Sequence, residues 1–129
     1  MSWQAYIDTS LVGTGNIDKA IICDVNDKTV WAATPGFSIP DKELQVVYNA
    51  FKEGSSSPIY GTGIQVNGEK YTVITLSEDT LLTKKGKEGL IFAKTSKAVI
   101  IGHHPDTVLT QAANNTVEAL ADYLKGVGY

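Results

Sequence analysis

Apolar positions recur along this chain with two different periods, and the alternation between them divides it into helices and strands. Near the start, Trp3, Ile7, Ser10 and Leu11 fall on one face at roughly 100° per residue, with Tyr6 at its edge and Gln4, Asp8 and Thr9 elsewhere. Ser2 stands where its hydroxyl can cap the first turn. A short amphipathic helix is therefore predicted, broken by Gly13-Thr14-Gly15. Ile17 to Val25 then reads as a strand, turning at Asn26-Asp27-Lys28 into a second strand over Thr29 to Ala33. After Pro35-Gly36, Pro40-Asp41 opens a helix whose Leu44, Val47, Tyr48 and Phe51 keep the i, i+3, i+4, i+7 spacing until Gly54. The Tyr48 hydroxyl is expected to reach water at the rim of that helix.

In the second half the period of two dominates. Ile59 to Val66 reads as a strand, Asn67-Gly68 is a strong hairpin signal, and Glu69 to Leu76 returns. Tyr71 to Leu76 carries apolar residues on both faces, which suits a sheet covered by helices on both sides. Leu81-Leu82, Leu90 to Lys94 and Ala98 to His103 add strands, with Ser77-Glu78-Asp79, Lys84 to Gly89 and Ser96-Lys97 as their turns. From about Thr110 a last helix begins, with Ala113, Val117, Leu120, Ala121 and Leu124 as its apolar stripe. Tyr123 lies off that stripe, in line with the small residues Ala112, Thr116 and Ala119, so its phenol is expected at the rim of the core. The architecture expected is a single α+β domain over residues 1–129: a central antiparallel β-sheet with the N- and C-terminal helices on one face and smaller helices on the other.

Composition narrows the function. All 11 basic residues are lysines and 14 residues are acidic, for a net charge of -3. Nucleic-acid binding is disfavoured, because phosphate neutralisation and bidentate readout by arginine are both missing. Cys23, the only cysteine, can form no intrachain disulfide and sits in an apolar run as a buried small hydrophobe. With no signal peptide and no run of about eighteen apolar residues, a soluble protein of a reducing compartment is expected.

The candidate chemistry lies at the two ends. Terminal helices packed side by side would pool Trp3, Tyr6, Tyr123 and Tyr129 into a shallow aromatic surface. Such a surface suits a polyproline II ligand, whose rings slot between flat side chains while a phenol or indole N–H bonds its exposed carbonyls. The opening Ser2-Trp3-Gln4-Ala5-Tyr6-Ile7-Asp8 and the closing Leu120-Ala121-Asp122-Tyr123-Leu124-Lys125-Gly126-Val127-Gly128-Tyr129 resemble the profilin family, specifically its short fungal, amoeboid and plant members. The resemblance runs end to end. It implies that Trp31 completes the aromatic surface, since profilins carry a Trp at the matching place.

A second candidate is the group Lys84, Lys85, Lys87, Lys94 and Lys97, set against the single acid Glu88. On a sheet edge these lysines would steer an acidic protein or an anionic lipid headgroup. The resemblance supplies monomeric actin as the partner, with Lys70, Val73, Ile74, Lys84, Lys85, Lys94 and Asn114 at the matching positions. It further implies a cytoplasmic, cytoskeletal monomer without a cofactor, one that presents actin to proline-rich assembly factors such as formins and binds phosphoinositide lipids. Asp79 to Thr83, Thr75 and Ala119 depart from the family's more basic pattern, and this leaves open a second reading, a polyproline and phosphoinositide adaptor with weakened actin binding. Enzymatic motifs are missing: Gly13-Thr14-Gly15 and Gly61-Thr62-Gly63 lack the P-loop and dinucleotide endings, and no Gly-x-Ser-x-Gly elbow occurs. His103 and His104, adjacent on a strand, point to opposite faces and are expected to be structural, so no metal site is predicted.

Overall fold

The computed structural model describes residues 2–129, with Ser55 described by its backbone alone. Seven strands, β1 (Lys19–Asp24), β2 (Val30–Ala33), β3 (Ile64–Val66), β4 (Glu69–Leu76), β5 (Thr80–Lys85), β6 (Glu88–Lys94) and β7 (Ala98–His104), form one sheet in the order β2-β1-β7-β6-β5-β4-β3. Every pairing is antiparallel. Short turns make this possible. Asn67 and Gly68, at φ 54° and 82°, supply the left-handed pair that a two-residue hairpin needs. Asp24 caps the β1–β2 turn by accepting the Asn26 and Asp27 amides on Oδ1.

Successive side chains on β7 enter two separate cores. Val99 and Ile101 join Leu44, Val47, Phe51 and Phe92 beneath helix α2 (Asp41–Glu53). Ile100 joins Ile7, Leu11, Val117 and Leu124 beneath the terminal helices, α1 (residues 3–14) and α4 (Thr110–Gly126). Both faces of the central strands are thus covered, as their unbroken apolar runs require. Each fully buried Ile or Leu contributes about 1.5–3 kcal/mol by leaving water. Close helix contact on the α4 side depends on Gly102, where a Cβ would sit 2.9 Å from Val117 Cγ2 and 3.0 Å from Ile17 Cδ1. The family of expectations about α2, the terminal helices and the stripe on α4 agrees with what is seen, and no described helix is long and apolar enough to cross a membrane.

The structure departs from the sequence reading at several points. Ile59–Thr62 forms a helical turn, α3, and only Ile64–Val66 of that stretch is a strand. Pro58 presets the helical φ, its carbonyl accepts the Gly61 and Thr62 amides, and the Tyr60 hydroxyl clamps both the amide and the carbonyl of Leu76. Lys84, Lys85 and Glu88 belong to strands, leaving Gly86 and Lys87 as a tight turn. The Tyr48 hydroxyl is buried and donates to the Asp24 carbonyl at 2.5 Å, beside Cys23 Sγ at 3.2 Å. Burial lifts the Cys23 thiol to about 11 and the Tyr48 phenol higher still. In α1, Trp3–Ala5 is α-helical, capped by Ser2 Oγ as predicted, but Tyr6–Leu11 winds more widely, the Val12 amide reaching the Ile7 carbonyl. Helices do not cover β4 on both sides: Tyr71, Val73 and Leu76 are buried beneath α2 and α3, whereas Ile74 is 47% exposed on the other face.

Candidate functional site

The chain ends meet. Ser2 starts α1 at the edge of the sheet, and Gln4 Nε2 ties it there by donating to the Ala33 carbonyl of β2 at 3.1 Å. At the other end, the Tyr129 main-chain oxygen accepts from the Lys97 amide at 2.7 Å and the Thr95 hydroxyl at 2.6 Å. These anchors fix the rings. Trp3 lies 4.7 Å from Trp31, 5.1 Å from Tyr129 and 5.6 Å from Tyr6, centroid to centroid. Tyr6 in turn lies 6.1 Å from Tyr123, and Trp31 lies 6.4 Å from Tyr129. All five aromatic residues named from sequence therefore form one continuous group, mostly in tilted or edge contacts worth about 0.5–1.5 kcal/mol each.

How Trp31 reaches this group is a matter of register. Cys23 pairs with Val30 and Ile22 with Ala32, so Trp31 is the extra residue of a β-bulge. Bulges re-aim side chains, and here the indole turns toward α1. The group is not core: Tyr123 is 54% and Tyr129 39% exposed, while Trp3, Tyr6 and Trp31 are half-buried. From Tyr123 through Tyr6 and Trp3 to Trp31 the row spans at most about 16 Å, roughly five residues of a polyproline II helix at ~3.1 Å each. Hydroxyls stand at the Tyr6–Tyr123 end, where the Tyr123 phenol, ahead of burial, raises the Tyr6 pKa. At the opposite end Lys97 Nζ sits 5.1 Å over the Tyr129 ring. Sequence reasoning missed Lys97 and Gln4 as parts of this surface, because their contacts are long-range and no local spacing encodes them.

The strand residues named from sequence do not all share a face. Tyr71 and Val73 point beneath α2, so Lys70 and Ile74 take the opposite, outer face of β4. Ile74 is itself a bulge residue, because Val73 pairs with Thr83 and Thr75 with Leu82. On β5, Leu82 packs toward the α4 core, placing Lys84 on the same outer face. Asn114 belongs there as well, through Glu118, which accepts from Asn114 Nδ2 at 3.1 Å and lies 3.5 Å from the Thr80 hydroxyl of β5. Lys70, Ile74 and Lys84 thus share the outer face, and Asn114, itself only 8% exposed, lies on that side near Thr80 at the start of β5. Val73, Lys85 and Lys94 point to the α2 side: Val73 is buried, Lys85 pairs with Glu69 at 3.0 Å and holds that carboxyl below its usual range, and Lys94 lines a cleft beside Tyr48 and Phe51. The five clustered lysines are accordingly split between two ends of β6 and two faces of the sheet.

Both histidines are structural in their contacts. His103 Nδ1 lies 2.6 Å from Asp18 Oδ1 and its Nε2 3.2 Å from Glu88 Oε1, while His104 bonds the Pro105 carbonyl and the Thr110 hydroxyl. They face opposite sides of β7. Among the described residues, no three His, Cys, Asp or Glu side chains converge to hold a metal ion.

Comparison with known proteins agrees with this geometry. The family model described as Profilin matches residues 1–129. Profilin of Schizosaccharomyces pombe is 44% identical over 129 residues, covering 100% of both chains. Its crystal structure superposes with a TM-score of 0.92, over 99% of this chain and 100% of that one. A structure of mouse profilin IIa in complex with a double repeat from the FH1 domain of mDia1, 24% identical, shares the fold with a TM-score of 0.80 over the full length of both chains. An aromatic surface built from both chain ends, on a seven-stranded sheet that matches those structures from end to end, places this chain in the profilin family.

Proposed function

We propose that this protein binds monomeric actin through the outer face of β4 and β5 and proline-rich segments of assembly factors through the aromatic surface. It is a binding protein, not an enzyme, and it regulates actin polymerisation by bringing monomers to those factors in the cytoplasm. The observation that carries the reading is the exposed row Tyr123, Tyr6, Trp3, Trp31 and Tyr129. Tyr123 and Tyr129 are exposed, and Trp3, Tyr6 and Trp31 are half-buried. A polyproline II segment loses little conformational entropy on docking there, and its carbonyls meet the tyrosine hydroxyls and indole N–H groups. The mouse relative solved with an FH1 repeat supports this choice of ligand.

For actin the proposed contact is Lys70, Ile74, Lys84 and Asn114, extended by Leu109, which is 79% exposed at the head of α4. An apolar centre with lysines at its rim suits an acidic protein partner. The two surfaces are separate, so one body can hold both ligands at once. Retention on immobilised polyproline, together with slowed assembly of pyrene-labelled actin, tests the reading. Loss of the second with the first intact would favour the adaptor.

A further inference from the structure

The aromatic row ends differently on its two sides. Lys97, in the turn between β6 and β7, holds its Nζ 5.1 Å over the Tyr129 ring. Its backbone is fixed there, because the Lys97 amide donates to the Tyr129 main-chain oxygen at 2.7 Å. Two other lysines stand over rings, but Lys19 over Phe37 and Lys28 over Tyr48 belong to the α2 side of the sheet. Lys97 is therefore the ammonium that touches the row, and among the described residues no carboxylate lies within ion-pair distance of it. Past the Tyr6–Tyr123 end the surface continues instead as a cleft of about 370 Å³ bordered by Ser10, Ala119 and Leu120. That cleft shares Ser10 and Ala119 with a second one, which runs on between α1 and α4 to Asn115 and Thr116. No charged side chain lines either.

A polyproline II segment presents rings and carbonyls that repeat every three residues whichever way the chain runs. Stacking on the row alone therefore gives such a ligand little reason to lie one way round. We propose that Lys97 supplies that reason: it selects proline-rich segments with an acidic residue next to the proline run. The acid is drawn to the Tyr129 end, and the rest of the chain leaves over Tyr6 and Tyr123 into the uncharged cleft. An ion pair between exposed side chains changes affinity by a factor of about two to five, and salt screens it. The inference rests on the polyproline reading and adds to it a class of partner and a direction.

The test titrates the protein with end-capped peptides of about six prolines, long enough to span the row, flanked on one side by Glu-Glu or by Gln-Gln. Tryptophan emission reads the binding. At about 10 mM salt the acidic peptide should bind about two- to fivefold more tightly than the neutral one, and the gain should vanish near about 1 M salt. The ratio of the two affinities is compared within each variant, so a general change in binding does not imitate the effect. Lys97→Gln should bring the ratio to one or below, and Lys97→Glu should lower it further. A nitroxide on the peptide end away from the acid should broaden the Ser10 and Ala119 amide resonances of the 15N-labelled protein. A ratio of one in the native protein, a ratio unchanged in Lys97→Gln, or broadening at Lys97 instead of Ser10 would each overturn the proposal while the neutral peptide still binds. Failure of the neutral and acidic peptides alike to move the emission would overturn the polyproline reading along with it.

Discussion

Trp3 carries more of the aromatic surface than any other residue, because its ring is the one in contact with Tyr6, Trp31 and Tyr129 together. Trp3→Ala should therefore abolish retention on a polyproline column, and since Trp3 is remote from the outer face of β4, actin binding should stay within about twofold. Tyr123→Phe keeps the ring and deletes one hydroxyl. A single neutral hydrogen bond is worth about 0.5–1.5 kcal/mol, so affinity for polyproline should fall only about 2- to 10-fold. Cys23 is a test of burial. With its pKa raised to about 11, mainly by desolvation, the thiol favours the folded state below its unfolded pKa, and that contribution is lost as pH rises toward the folded value. Melting temperature should thus drop between pH 9 and 11, and Cys23→Ala should flatten that slope. Ellman's reagent should leave the native thiol untouched at pH 8 and react with it in denaturant.

Elements were read well from sequence wherever one pattern ran long enough. The stripe of α4, the face of α2 and the Asn67-Gly68 hairpin all follow from spacing and turn chemistry that act locally. Ile59–Thr62 was misread because Ile59, Tyr60 and Thr62 are all residues favoured in strands, while the deciding contact, Tyr60 to Leu76, is made sixteen residues away. The two bulges were illegible for a related reason. Trp31 and Ile74 look like ordinary alternating positions, and only pairing with β1 and β5 shows each to be the extra residue. Both proposed binding surfaces rest on such a bulge, so the resemblance could identify Trp31 without explaining it. Face assignments on β4 to β6 were equally out of reach, since a strand's absolute register decides whether Lys84 or Lys85 looks outward. Packing of β6 against its neighbours β5 and β7 yields a sharper prediction. At Gly89 a Cβ would stand 2.6 Å from His104 Nε2 and 2.7 Å from the Thr83 carbonyl. Gly89→Ala should cost about 1–3 kcal/mol in urea unfolding, and an unchanged midpoint would refute this packing.

At the scale of the whole molecule, the sheet keeps its two proposed ligands apart. The aromatic row lies where α1, β2 and the end of α4 meet, while Ile74, Lys84 and Leu109 lie toward the head of α4, whose 17 residues extend about 25 Å. Lys84→Glu should weaken actin binding about tenfold, more strongly at low salt than at high, and leave polyproline affinity unchanged. The most direct measurement exploits composition. Trp3 and Trp31 are the only tryptophans, and both lie in the aromatic row. Tryptophan fluorescence, excited selectively at the red edge where tyrosine does not absorb, therefore reports this surface during titration with poly-L-proline. A saturable change in intensity, absent with polyglycine and absent in Trp3→Ala, is the predicted result. An emission spectrum that does not move at millimolar proline-decamer concentrations would contradict the account.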